Sequence, residues 1–282
     1  MLTLTSDFGS PYPAAMKGVV LRRTDARLVD VAHDLPRQDV RAAAFWCRET
    51  LPYFPSAVHL VVVDPGVGTD RDALVVRAGD HALVGPDNGV LLPPARRIAA
   101  AGDPPGSVAE ADADESTPPI ECFVYEYDDP ASSTFHGRDV FAPAAASVHE
   151  TGVDAVASLA AVSHVESFAP DEDPDAVEDC RFPAPTLDAD EARGEVLVVD
   201  DFGNAVTNVP GSFLDGREGE PIEVNGVSAT VARAFADVSA GDRLVTVGSH
   251  GYVECDVNRG RGDEAFGLAP GDRVVLSAAA PR

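Results

Sequence analysis

The chain has 282 residues, enough to bury two modest hydrophobic cores. Its 21 basic and 47 acidic side chains leave a net charge of −26, and Lys17 is its only lysine. Such a surface repels nucleic acid and anionic lipid, and with carboxylates spread from Asp7 to Asp272 rather than gathered in one tail it suits a salt-loving (halophilic) solution, where repulsion is screened.

The first half alternates short apolar runs with helical patterns. Residues 2–5, 28–31, 58–63 and 82–84 read as strands rich in Val and Leu without strict alternation, as expected of strands covered on both faces. Residues 14–23 and 39–50 read as helices, the second with Val40, Ala44 and Cys47 on one stripe. This alternation predicts an α/β domain over residues 1–170 with a mostly parallel, three-layer sheet. Residues 103–119 read as an acidic loop, and 166–193 as acidic and Pro-containing, with the linker placed at 171–193. From 194 to 282 the pattern becomes short strands, at 195–200, 222–224, 228–232, 244–247, 252–255 and 273–277, punctuated by Gly, Asn and Asp turns, which predicts a small all-β barrel or sandwich. The four cysteines have no zinc or redox spacing and are expected reduced. No basic and apolar leader opens the sequence and no run is long enough to span a membrane, so a cytoplasmic protein is expected.

Ligands of an open parallel sheet collect beyond the carboxyl ends of its strands. Polar groups stand at those ends: Asp7 after the first strand, His33-Asp34 after the second, Asp64-Pro-Gly-Val-Gly-Thr69 after the third, and Asp87-Asn-Gly89 after the fourth. Singly, each carboxylate reads as a helix cap; four in succession point to a site. The glycines of 64–71 match neither a P-loop nor a dinucleotide fingerprint, and read instead as a turn returning Arg71 to Asp64. His136 lies in Thr134-Phe-His-Gly-Arg-Asp139, a loop ahead of a helix, whereas His59, His81, His149 and His164 read as structural or solvated. In the second half, Asp200-Asp-Phe-Gly-Asn204 offers an aromatic plate beside an amide, able to stack on and hydrogen-bond a purine, but equally suited to a tight turn.

Seven segments in order, Thr5-Ser-Asp-Phe-Gly9, Met16-Lys-Gly18, residues 61–71, Gly85-Pro-Asp-Asn-Gly89, residues 134–145, Asp201-Phe-Gly-Asn204 and Gly248-Ser-His-Gly-Tyr-Val-Glu254, resemble the S-adenosylmethionine hydroxide adenosyltransferase family, the adenosine-forming S-adenosylmethionine hydrolases related to fluorinase and chlorinase. The resemblance implies an Asp-Arg-His set handling water, here Asp64, Arg71 and His136. It further implies Asp7 on the ribose hydroxyls, Phe202, Asn204 and Phe235 on adenine, and Ser249 and His250 at the methionine end, with Tyr252 and Glu254 of the same segment lining the pocket. The carboxylate for the methionine amine falls on Asp200, with the spacing ambiguous between it and Asp201. The chain departs from the family pattern in the acidic expansion at 103–119 and in having His250 where an apolar residue is usual. A homotrimer with sites shared between subunits is also implied, as is a reaction with a small-molecule substrate, no metal and no cofactor.

A sulfonium is already a good leaving group, so what the reaction requires is water held in line with C5′ and a group to take its proton. Asp64 and His136 are both candidates for the proton. Three rival readings remain at the level of sequence: a halide nucleophile, a non-catalytic adenosine or S-adenosylmethionine sensor, and a metal-dependent hydrolase built on Asp7, Asp64, His136 and Asp139.

Overall fold

The computed structural model describes residues 1–100, 120–128, 130–165 and 177–278. The acidic loop at 103–119 and residues 166–176 of the acidic, Pro-containing segment lie outside them. The chain divides into two compact units, the first ending at Arg181 and the second beginning at Phe182.

The first unit contains, in order, β1 (Leu2–Ser6), α1 (Tyr12–Leu21), β2 (Leu28–Ala32), α2 (Val40–Thr50), β3 (Val58–Val62), β4 (Ala73–Ala78), β5 (His81–Pro86), α3 (Leu92–Ala99), β6 (Ile120–Tyr125), α4 (Ala142–Thr151) and β7 (Val162–Val165). Its seven-stranded sheet has the order β2-β1-β3-β5-β4-β6-β7. The β1–β2, β1–β3 and β3–β5 pairs are parallel; β4 and β7 run against the other five strands, giving the mostly parallel sheet expected. Alternating side chains feed two layers. Leu2 and Leu4 of β1 join Met16 and Val20 of α1 and the alanines of α4 in one core. Thr3 and Thr5 face the other way, Thr3 bonding His59 and Thr5 facing Cys47 on α2.

Two differences from the periodicity reading have local causes. Helix α1 starts at Tyr12 rather than 14, and α3 carries Pro93 and Pro94, because proline in a first turn lacks only an N–H that the helix does not use. Asp39 caps α2, its Oδ1 accepting from Ala42 N at 2.9 Å. His59 and His81 stack at 5.2 Å, joined Nε2 to Nδ1 at 2.9 Å, and burial pushes His59 down to about 3, so this pair is neutral packing.

The second unit runs β8 (Thr186–Leu187), β9 (Glu191–Val199), β10 (Ala205–Pro210), β11 (Pro221–Val224), β12 (Val227–Val231), β13 (Arg243–Val247), β14 (Tyr252–Val257), the short α5 (Gly262–Phe266) and β15 (Arg273–Ala278). Pairing in the order β9-β10-β14-β13-β12-β11-β15 and back to β9 closes a seven-stranded barrel, with β8 as an appendage. Only β12–β13 is a parallel neighbour pair in it. Inward residues such as Val196, Ala205, Val245, Val253, Cys255 and Leu276 fill the barrel. Strand β9 begins at Glu191, inside the stretch read as linker.

Two glycines should respond oppositely to a methyl group. Gly18, in α1 with negative φ, has open space around a built Cβ, whereas a Cβ on Gly85 would overlap the carbonyl oxygen of Val61 on the adjacent strand. Gly18→Ala should therefore stabilise by about 0.5–1 kcal/mol, and Gly85→Ala destabilise by about 1–3 kcal/mol. Thermal melts should move up for the first and down for the second; a melt that rises for Gly85→Ala contradicts the packing described.

Candidate active site

In the first unit, parallel register aligns the strand ends. Thr5 and Ser6 of β1 stand opposite Val61 and Val62 of β3, so Asp7 and Asp64 leave the sheet at the same edge. The turn after β3 then folds back: Val67 N donates to Asp64 O and Thr69 N to Gly66 O. A Cβ on Gly66 would sit 2.8 Å from the Arg71 guanidinium carbon, so a side chain there would displace the Arg71 head. Asp64 Oδ1 accepts from Gly66 N at 3.1 Å and from Arg71 Nη1 at 3.2 Å, so the return of Arg71 to Asp64 is realised. Both bonds fall on Oδ1, and Oδ2 has no partner among the described residues.

The Asp64 side chain is only 6% exposed. Burial drives its carboxyl above the ordinary value; the charges of Arg71 and His136 and the Gly66 N–H oppose that rise, while Asp7 adds to it. These interactions bring Asp64, Arg71, His136 and Asp7 into one electrostatic group, although His136 makes no direct hydrogen bond to Asp64. His136 begins a short π-turn over Gly137–Phe141 and is 6% exposed, its ring edge-on to Tyr127 at 6.3 Å and Phe141 at 6.5 Å. Two glycines let the histidine loop approach. A Cβ on Gly137 would meet Met16 Sδ at 2.9 Å, and one on Gly68, which has φ of +85°, would meet Ser133 O at 2.6 Å. Met16 of the Met-Lys-Gly segment thus has a packing role.

Asp7 is buried, and its Oδ2 accepts from Gln38 N at 2.7 Å. The fourth strand end is structural instead. Asn88 Nδ2 donates to Val63 O at 2.8 Å, bracing the residue before Asp64, and Asp87 Oδ1 accepts from Glu178 N at 2.8 Å while burial pushes its carboxyl up to about 6. Asp139 is held bidentately by Arg138 at 2.6 and 2.7 Å, which ties it up away from a shared donor set with Asp7, Asp64 and His136. Among the described residues no three His, Cys, Asp or Glu side chains are grouped so as to hold an ion.

In the barrel unit, the Asp200–Asn204 segment is a side-chain-closed turn. Asp200 Oδ1 accepts from Phe202 N and Asn204 N, both at 2.9 Å, and Oδ2 from Asn204 Nδ2 at 3.0 Å. The turn leaves Phe202 78% exposed, its ring free to stack on a ligand. Asp200, and not Asp201, is the carboxylate whose charge reaches Glu254, which burial and Asp200 push up to about 7. The Glu254 carboxylate lies against Gly248, where a Cβ would overlap it, and so sits beside the Ser249 and His250 turn. Ser249 is exposed and Tyr252 buried. Phe235 opens a separate 3-10 turn with its ring 40% exposed.

Sequence reasoning missed Asp256. It is 0% exposed, neither carboxylate oxygen has a partner, and burial followed by Glu254 and Asp200 pushes it up to about 8. Its i, i+2 spacing from Glu254 on one strand was the available signal. Tyr127 was missed as well, lying in a stretch without periodicity.

The model of the SAM hydroxide adenosyltransferase N-terminal domain matches residues 2–157, and that of the C-terminal domain matches 194–275. A Salinispora tropica protein named (R)-S-adenosyl-L-methionine hydrolase is 38% identical over 282 residues, covering 98% of this chain and 97% of the relative. A Thermus thermophilus protein of the same name is 40% identical over 275 residues, covering 96% and 97%. The crystal structure of a conserved protein from Thermotoga maritima superposes with a TM-score of 0.75 at 31% identity, over 98% of this chain and all of that one. With both domain models matched in order and full-length relatives at this identity, the chain belongs to the SAM hydroxide adenosyltransferase family.

Proposed function

We propose that this chain hydrolyses S-adenosyl-L-methionine to adenosine and L-methionine, with water attacking the ribose C5′ in line with the sulfonium. The observation that carries the reading is the Asp64 carboxylate: nearly buried, fixed through Oδ1 by Arg71 and Gly66, and with Oδ2 left to accept from a water. Hydrolase-named relatives at 38% and 40% identity support the same chemistry.

In the reaction, the water oxygen forms a bond to C5′ as the C5′–S bond breaks, its electron pair returning to sulfur as the methionine thioether. The water proton passes to Asp64 or His136 and then to solvent. Holding the water supplies the orientation term, and proton removal by a positioned group adds about 10²–10⁴-fold. Arg71 acts through Asp64, keeping its carboxylate ionised and aimed. Asp7 takes the ribose hydroxyls, and Phe202, Asn204 and Phe235 the adenine. Asp200 is assigned the methionine amine, with Ser249, His250, Tyr252 and Glu254 lining that end. No cofactor enters this scheme, since the sulfonium leaves unaided. A cytoplasmic homotrimer with sites shared between subunits completes the reading. Light scattering should give three chains per particle, and a fully active monomer would remove that assembly.

Chloride is a poor competitor because Asp64 sets a like charge beside the nucleophile position, a repulsion of about 1 kcal/mol at ~4 Å even in bulk water and more in a drier site. Reaction in oxygen-18 water and several molar potassium chloride should give adenosine labelled at the 5′-hydroxyl. Dominant 5′-chloro-5′-deoxyadenosine, or unlabelled adenosine, would overturn water as nucleophile; no product with tight adenosine binding would favour a sensor.

The Arg71 charge holds the Asp64 carboxyl down against desolvation, so its removal raises that group further. Activity that requires ionised Asp64 is lost as pH falls through its pKa. In Arg71→Met the acid limb of the kcat/KM profile should therefore move to higher pH. An unmoved limb would mean that a group other than Asp64 governs it.

A further inference from the structure

Lys17, the only lysine of the chain, is spent on a hydrogen-bonded series that the scheme above does not use. Its Nζ donates to Asp30 Oδ2 at 2.5 Å, Asp30 Oδ1 lies 2.9 Å from His33 Nε2, and His33 Nδ1 lies 2.8 Å from Ser6 Oγ. The four residues come from α1, the middle of β2, the turn after it and the last position of β1. Ser6 is fully buried, and the series ends one residue before Asp7. His33 also holds the far side of Asp7, its carbonyl accepting from Gly9 N at 2.6 Å. Asp7 itself is bonded from the same turn by Gln38 N at 2.7 Å, and Arg37 Nη2 donates to Phe8 O at 3.3 Å.

We propose that Lys17, Asp30, His33 and Ser6 form a positioning relay that aims the Asp7 carboxylate at the ribose diol, with His33 as its positioning residue. The proposal rests on the reading of Asp7 as the ribose ligand. Asp30 is bonded by an ammonium, so it stays an ionised, acceptor-only carboxylate; burial acts to raise it, and the bonds from Lys17 and His33 overcome that and hold it below its ordinary value. His33 Nε2 then carries a hydrogen toward Asp30, and Nδ1 pairs with the Ser6 hydroxyl. Held at both nitrogens, the ring is fixed in one orientation, as a carboxylate fixes a ligating histidine. A Lys–Asp pair exposed to 30% and 46% adds little to global stability, so its effect is local: it sets the bonds that bracket Asp7.

The test is calorimetric binding of adenosine and 2′,3′-dideoxyadenosine, which lacks the diol, to wild type, Asp7→Ala, His33→Ala, Lys17→Met and Lys17→Arg, each checked for its melt. His33→Ala and Lys17→Met should weaken adenosine about 10-fold, the lower end of the cost of losing a group that orients a ligand-binding side chain, and leave dideoxyadenosine unchanged. Lys17→Arg, which retains the charge on Asp30, should restore adenosine binding, and Lys17→Met should raise KM for the substrate by more than it lowers kcat. If Asp7→Ala loses diol discrimination while Lys17→Met and His33→Ala keep it, the relay is overturned and the reading of Asp7 stands. If Asp7→Ala keeps discrimination, the ribose reading falls and the relay with it. Should His33→Ala fail to fold, the exposed Lys17 pair of variants decides.

Discussion

Parallel pairing of β1 with β2 and β3, and of β3 with β5, is the constraint on which the site depends. A parallel neighbour cannot be reached by a tight turn, so each strand is followed by a helix or a long connection, and the strands' carboxyl ends accumulate at one edge. Asp7, His33 and Asp64 emerge together there because Ser6 is in register with Val62 and Leu4 with Asp30. Strand β6, antiparallel to its neighbours β4 and β7 but running in the same direction as β1 and β3, leads into the histidine loop, so the segment carrying His136 also leaves the sheet at that edge.

Electrostatics at that edge work against the chain's overall charge. A protein of net charge −26 repels any further anion, yet it holds Asp64 nearly buried beside Asp7. Desolvation and like charge each favour protonation of that carboxyl, and one guanidinium, one backbone N–H and the neighbouring imidazole oppose them. Few cations are available, and they are placed locally: Arg71 on Asp64, Arg138 on Asp139, Lys17 on Asp30. In concentrated salt the long-range repulsion is screened while these contacts at 2.5–3.2 Å are not.

In the barrel unit the same economy appears in reverse. The Asp200 turn satisfies its carboxylate with two backbone N–H groups and the Asn204 amide, while Glu254 and Asp256 are pushed toward the neutral form on a neighbouring strand. Asp200 is thus the carboxylate of that group whose two oxygens are both held by its own turn.

The sequence by itself determined the two-part architecture, because Val- and Leu-rich runs alternating with helical stripes give a covered parallel sheet, and short strands between Gly and Asn turns give a barrel. Through their resemblance to the family's segments it also offered Asp64, Arg71 and His136 as candidates, and the structure gathers them into one electrostatic group. Tertiary structure alone decided what each residue touches. Glycine spacing allowed a turn, but only the fold shows the Arg71 guanidinium lying against Gly66. Four acidic strand ends looked alike, yet Asp87 and Asn88 proved to be braces while Asp7 and Asp64 share a field. The Lys17–Asp30–His33–Ser6 series was invisible because its members are 3 to 13 positions apart along each link or join through parallel register, and no local period brings a helix residue to the end of a neighbouring strand. Asp256 shares a strand face with Glu254 by spacing, but its burial was hidden, since what covers a strand is not a property of the strand's own pattern.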